Sequence, residues 1–185
     1  MFPSVTTILA PHSGIDDLKR RFPAIIKRAS VRGTAVHGYC EDAAKGLFVM
    51  GIPPEYQGYF DSFMHWFSDV EEVVATELRI MDPVLGFHGQ MDIICRMRGD
   101  SVLSLWDYKT PEFISLTWGP QTAGYHHLAR LDGYPVERAG AIRLRKTGRP
   151  PLIKEYTDSL RRHWNTFISS LNVYNAFIAP KGKKI

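Results

Sequence analysis

The sequence predicts an α/β fold. Two apolar runs rich in β-branched and aromatic residues, 91–95 and 102–109, flank a turn at Arg98-Gly99-Asp100, as a strand pair does. Longer segments, above all 24–45, 54–67 and the stretch after 157, place apolar residues three and four apart, as helices do. The 185 residues, 44% of them hydrophobic, suffice for one domain spanning 1–185 with its own core.

Taken in order, Ser4 is placed to cap a short helix, and Ser13 with Asp16 forms a capping-box-like start. Leu18 and Phe22 share a face of the helix that follows. Pro23 opens the next helix, which runs over 24–45 and stops at Gly46. Gly33, His37 and Glu41 fall four apart on one face of it. A glycine inside a helix costs about 1 kcal/mol, which hints at a close approach there.

Pro53-Pro54 starts a helix whose stripe is Tyr56, Tyr59/Phe60, Phe63 and Trp66/Phe67. Two readings stand for it: core packing against a sheet, or a wall that stacks unpaired bases. Residues 71–80 read as a strand carrying Glu77. A helix over 118–128 brings Gln121 and Tyr125 to one face, one turn apart. His126 and His127 read as ordinary helix residues.

The next strand, 139–146, alternates Ile142 and Leu144 with Arg143 and Arg145, and 152–156 pairs back as a hairpin. Thr157 or Asp158 caps the last helix. Its buried stripe is Leu160, Trp164, Phe167/Ile168, Leu171, Tyr174 and Phe177/Ile178, and Pro180 ends it.

Strand alternation sets Asp107 and Lys109 on one face, and the adjacent strand can bring Asp92 beside them. Ions are costly to bury unless paired or bound to metal. Two carboxylates with a lysine suit one task well: holding a hard divalent cation against a phosphate.

Charge is unevenly spread. Residues 1–137 hold 12 Lys and Arg against 17 Asp and Glu, whereas 138–185 hold 11 against 2. The basic C-terminal part suits a polyanion such as nucleic acid. It is equally a solvated face ending in the tail lysines Lys181, Lys183 and Lys184. No apolar run approaches the roughly 20 residues of a membrane span, and no signal-peptide pattern opens the chain. Cys40 and Cys95 are too few for a disulfide scaffold or a cysteine-held cluster. A reducing cytoplasmic setting is expected, without a membrane.

The motifs Gly89-Gln90-Met91-Asp92 and Asp107-Tyr108-Lys109-Thr110 resemble the core of PD-(D/E)XK nucleases in their RecB-like form. So do Arg32-Gly33-Thr34-Ala35-Val36-His37, the Glu at position 77, the pair Gln121 and Tyr125, and the opening Pro3-Ser4-Val5-Thr6. The last is similar to the start of phage RecB-like nucleases and mitochondrial genome-maintenance exonucleases. The resemblance runs from Pro3 to about Leu144.

It implies a restriction-endonuclease-like core: a central mixed β-sheet flanked by helices, with the site at one sheet edge. The implied activity is Mg²⁺- or Mn²⁺-dependent exonucleolytic hydrolysis of DNA, in replication, recombination or repair. His37, Asp92, Asp107 and the Tyr108 carbonyl would hold the metal, with Glu77 nearby. Lys109 would act on the phosphate, while Gln121 and Tyr125 would position the scissile strand. Arg32, Thr110, Gln121, Tyr125, Arg143 and Arg145 would contact DNA, with single-stranded or frayed ends preferred. Some relatives carry an iron–sulfur cluster, for which this chain has too few cysteines alone. A phage source, acting in the host cytoplasm, is part of the same expectation. So is a replication or recombination protein as partner. Two alternatives stand beside it: a catalytically silent nucleic-acid clamp, and a subunit of a helicase–nuclease complex.

Overall fold

The computed structural model describes residues 2–178. It is an α/β protein with a five-stranded mixed sheet flanked by helices. The strands lie in chain order, β1 (Val70–Asp82), β2 (Phe87–Met97), β3 (Leu103–Lys109), β4 (Val136–Arg143) and β5 (Leu152–Glu155). Neighbours are antiparallel except β3 and β4, which are parallel. A parallel pair needs a crossover, and helix α5 (Trp118–Leu131) supplies it. Gly99, at φ +80, makes the β2–β3 turn.

One face of the sheet carries α5, α1 (Val5–Leu9) and α6 (Leu160–Val173), around Ile94, Leu105, Leu128, Ala139 and Phe167. The other carries α3 (Pro23–Ala44) and α4 (Pro54–Phe67). There Phe63, Trp66 and Tyr59 pack with Ile93, Trp106, Tyr108 and Ile142. Phe63 is fully buried, worth about 2–3 kcal/mol of burial, and meets the Tyr108 ring edge-on at 5.2 Å. The aromatic stripe of α4 is therefore mainly core.

Several local expectations hold. The Ser4 hydroxyl accepts the Thr7 N–H at 3.1 Å, Pro23 begins α3, and Gly46 (φ +72) follows its end. Others give way to competing hydrogen bonds. Gly14, not Ser13, takes the cap position of α2 (Ile15–Arg21), while the Ser13 hydroxyl donates back to the Ala10 carbonyl at 2.6 Å and accepts the Ile15 N–H at 3.2 Å. Leu18 and Phe22 remain exposed. The Thr157 hydroxyl accepts the Ala139 N–H of β4 at 3.1 Å, and Ser159 takes the cap position of α6, its hydroxyl donating to the Tyr156 carbonyl rather than capping the helix. A π-helical turn over Tyr174–Ile178 shifts the last part of the predicted stripe, leaving Phe177 81% exposed. Pro180, Lys181, Lys183 and Lys184 lie outside the described residues. Among those described, no helix is long and apolar enough to cross a membrane.

Beside the site the side-chain alternation of β1 and β2 changes phase. On β2, Met91 and Ile94 both pack on the α5 side, and on β1 so do Ala75 and Leu78. Strict alternation puts residues three apart on opposite faces. The pairs Thr76–Ile93 and Leu78–Met91 bracket Glu77 and Asp92, so the two stand across from one another at the slip. Glu77 has φ +49, the one positive φ outside glycine among the described residues. A non-glycine residue held there costs about 1–3 kcal/mol.

Candidate metal centre

Pairing between β2 and β3 ends at Ile93–Trp106. Just past that end the Asp92 carboxylate accepts the Tyr108 backbone N–H through Oδ2. Its other oxygen lies 3.1 Å from His37 Nδ1, which α3 delivers from the opposite side. Glu77 comes in from β1. Ligand atoms of His37, Glu77 and Asp92 all lie within 4.8 Å of one another. Gln90 donates to the Glu77 carboxylate. Glu41, on the same face of α3, pairs with Lys45 and stays outside the group.

Asp107 and Lys109 sit beside this cluster. Lys109 Nζ forms an ion pair with Asp107 Oδ2, without hydrogen-bond geometry to that oxygen. It also donates to Gln121 Oε1 at 3.0 Å. Gln121 Nε2 in turn faces Asp107 Oδ1 at 3.3 Å and the Tyr125 hydroxyl at 3.0 Å. Tyr125 is buried behind Gln121, with its ring over Gly89. A Cβ at Gly89 would stand 2.8 Å from Leu128 Cδ1 and 2.9 Å from the Tyr125 ring. The glycine of the Gly-x-x-Asp motif thus lets α5 lie close enough for Gln121 to reach Asp107.

Electrostatics divide the site. Burial pulls the His37 imidazolium down, but the Asp92 charge and hydrogen bond, with Asp107 behind, outweigh it and hold its pKa up at about 9. Burial raises the Asp107 carboxyl; the Lys109 ammonium lowers it and the Asp92 charge raises it again, leaving it above the ordinary range. Burial and the Asp92 charge also push Glu77 up, against the Gln90 hydrogen bond. Three carboxylates thus share the site with one ammonium and one imidazole. A buried surplus of negative charge with oxygen and imidazole donors fits a divalent cation.

The other predicted residues spread outward. Thr110 is buried at the end of β3. A Cβ at Gly33 would meet its Oγ1 at 4.0 Å, an ordinary contact, so no clash demands the glycine. Arg32 lies over the Tyr59 ring at 5.4 Å. Arg143 donates to the Glu112 carbonyl, and Arg145 is partly buried. Thr110, Arg143, Arg145, Lys146 and Arg149 line one groove of about 520 Å³. His127, predicted as ordinary, pairs with Asp82 at 2.8 Å and stacks on Trp164.

Sequence reasoning missed Gln90 as the partner of Glu77. Its signal was the two-residue alternation from Asp92 inside the same motif. It also missed Lys27 and Arg28, which line a second cavity with Arg32 and Lys146. The spacing of 28 and 32 on one helix face was the available sign. Compared with known protein families the chain matches none, and no curated protein is detectably similar to it.

Proposed function

We propose that the chain is a metal-dependent DNA exonuclease with a PD-(D/E)XK core of RecB-like type. The observation that carries this reading is the convergence of His37, Glu77 and Asp92 within 4.8 Å, beside the Asp107–Lys109 pair. In this reading His37, Glu77 and Asp92 hold Mg²⁺ or Mn²⁺, with Asp107 and the Tyr108 carbonyl completing the set. The strained backbone of Glu77 keeps its carboxylate aimed at Asp92. When bound, the cation supplies Lewis acidity and charge neutralisation at a phosphate.

The chain's own residues do the rest. Lys109, 14% exposed at its side chain, turns from Asp107 to the phosphate and offsets the charge that grows there. Gln121 holds the ammonium in place, and Tyr125 holds Gln121. They act as positioning residues. The groove with Arg143, Arg145, Lys146 and Arg149 carries the strand's phosphates.

The test uses labelled single- and double-stranded DNA with each end blocked in turn, and RNA beside them, with and without Mg²⁺ and Mn²⁺. The expected result is metal-dependent release of nucleotides from free ends, fastest on single-stranded or frayed ones. Equal cutting of covalently closed duplex circles would overturn the exonuclease reading. Tight DNA binding without cleavage would leave a clamp.

A further inference from the structure

We propose that the cavity between α3 and α4 holds one unpaired nucleotide of a single strand, apart from the cleavage centre. This rests on the nuclease reading for its biological sense but not for its test. The cavity measures about 570 Å³, within the range of ligand sites. One wall is a face of α3 bearing Lys27, Arg28 and Arg32. The other is the start of α4, with Tyr56 and Tyr59. Lys146 closes the third side. Its carbonyl sits so close to Gly58 of α4 that a Cβ there would stand 1.9 Å away, which fixes that wall.

The chemistry of the walls points to a base with its phosphate. Tyr56 is half-buried, and Tyr59 lies under the Arg32 guanidinium at 5.4 Å. Aromatic and guanidinium planes stack on bases of any sequence. Among the described residues, Lys27, Arg28, Arg32 and Lys146 pair with no carboxylate, although Glu55 also lines the cavity. Arg32 Nε is buried without a hydrogen-bond partner. Unpaired cations around an apolar, aromatic floor match a phosphate attached to a flat ring. A base inside a duplex has both faces covered by its neighbours, so the cavity selects an unpaired one.

Its position fits a strand that reaches the metal cluster. Tyr59 and Lys146 also line the groove that ends at Thr110, so the two cavities adjoin. Arg32 precedes His37 by five residues of one helix, roughly 7.5 Å along the axis.

The test is binding of an oligo-dT of about six nucleotides in EDTA, followed by fluorescence anisotropy, with one base at a time replaced by an abasic site. Wild type should show one position where loss of the base weakens binding about 5- to 100-fold. Tyr56→Ala should flatten that profile, and Tyr56→Phe should keep it. Lys27→Ala with Arg28→Ala, both exposed on α3, should weaken all oligonucleotides and lessen the salt dependence while keeping the profile. An even profile in wild type, or a Tyr56→Ala profile like that of wild type, would overturn the proposal. If Tyr56→Ala does not fold, the wild-type profile and the lysine–arginine variant decide. Because EDTA removes cleavage from the readout, a position-specific profile without nuclease activity would sink the nuclease reading alone. Cleavage with an even profile would sink this one alone.

Discussion

The molecule holds two histidine–aspartate pairs built to different ends. Asp82 receives His127 at 2.8 Å on one oxygen and the N–H groups of Val84 and Leu85 on the other. Burial raises its carboxyl, but these hydrogen bonds outweigh burial and leave it below the usual range. His127 stacks on Trp164 at 4.3 Å. Both oxygens of Asp82 thus have donors from the protein itself. Asp92 receives His37 at 3.1 Å and the Tyr108 N–H, yet Glu77 and Asp107 crowd beside it. A histidine near an aspartate is thus not in itself a site. The surplus of carboxylates, with a strained Glu77 among them, distinguishes the second pair.

The largest expected effect separates the pairs directly. Asp92→Asn should abolish metal-dependent cleavage of single-stranded DNA ends. Asp82→Asn should leave the rate within about threefold and lose about 1.5–3 kcal/mol of stability, the worth of one charge-assisted hydrogen bond. Cleavage assays beside urea melts check both. Next, Lys109→Ala removes the group assigned to the transition state but no ligand. Single-turnover cleavage should fall by about 10²–10³ with Mn²⁺ affinity retained. A near wild-type rate would remove Lys109 from the mechanism.

The pairs should also respond to pH in opposite directions. The folded pKa of His37, about 9, lies above its ordinary 6.5. Its stabilising contribution is full below pH 6.5 and is lost as pH rises through 9. The raised carboxyls of Asp107 and Glu77 act in the same sense at lower pH: folding favours their protonated forms, so stability drops as they ionise. Asp82 is the reverse case. Its lowered carboxyl stabilises the fold above the ordinary carboxylate range and ceases to as pH falls through its folded value. Metal-free protein should therefore lose melting temperature between pH 6.5 and 9, and His37→Gln should lose less. An equal slope in both would detach His37 from the effect.

A smaller effect concerns strain. Glu77→Asn keeps a residue that tolerates positive φ and removes one crowded charge. The metal-free protein should gain about 1 kcal/mol in denaturant unfolding while Mn²⁺ affinity falls. A loss of stability would mean that Glu77 is a structural residue. Smallest per residue, neutral replacement of Arg143, Arg145, Lys146 or Arg149 should flatten the salt dependence of DNA binding. The slope should change by about 0.7–0.9 decades per decade of salt for each phosphate left without its cation.

Much of the fold was legible because periodicity is local. The strand holding Asp107 and Lys109, the helix carrying Gln121 and Tyr125, and the hairpin over 152–156 follow from alternation, helical spacing and turn residues alone. Alternation fails at Glu77 and Asp92, where the sheet slips phase, and no residue there announces a left-handed backbone. The resemblance therefore suggests Glu77 near a metal site, not as a close third member of the group with His37 and Asp92. The ends of helices were less legible, since Ser13 and Thr157 have several hydrogen-bond partners within reach and tertiary geometry chooses among them. Spacing along α3 groups Arg28 with Arg32, but the cavity they line with Lys146 depends on how two helices and a loop meet.

In the proposed reading, a divalent cation balances the surplus charge at Asp92. Calorimetric titration of Mn²⁺ into wild type, Asp92→Asn and Asp82→Asn, at pH 6.5 and pH 8.5, tests it most directly. Wild type should bind, more tightly at the higher pH, and release protons as His37 gives up its own. Asp82→Asn should match it, and Asp92→Asn should bind at least about 100-fold more weakly. If Asp92→Asn titrates like wild type, the cluster of His37, Glu77 and Asp92 is not a metal site.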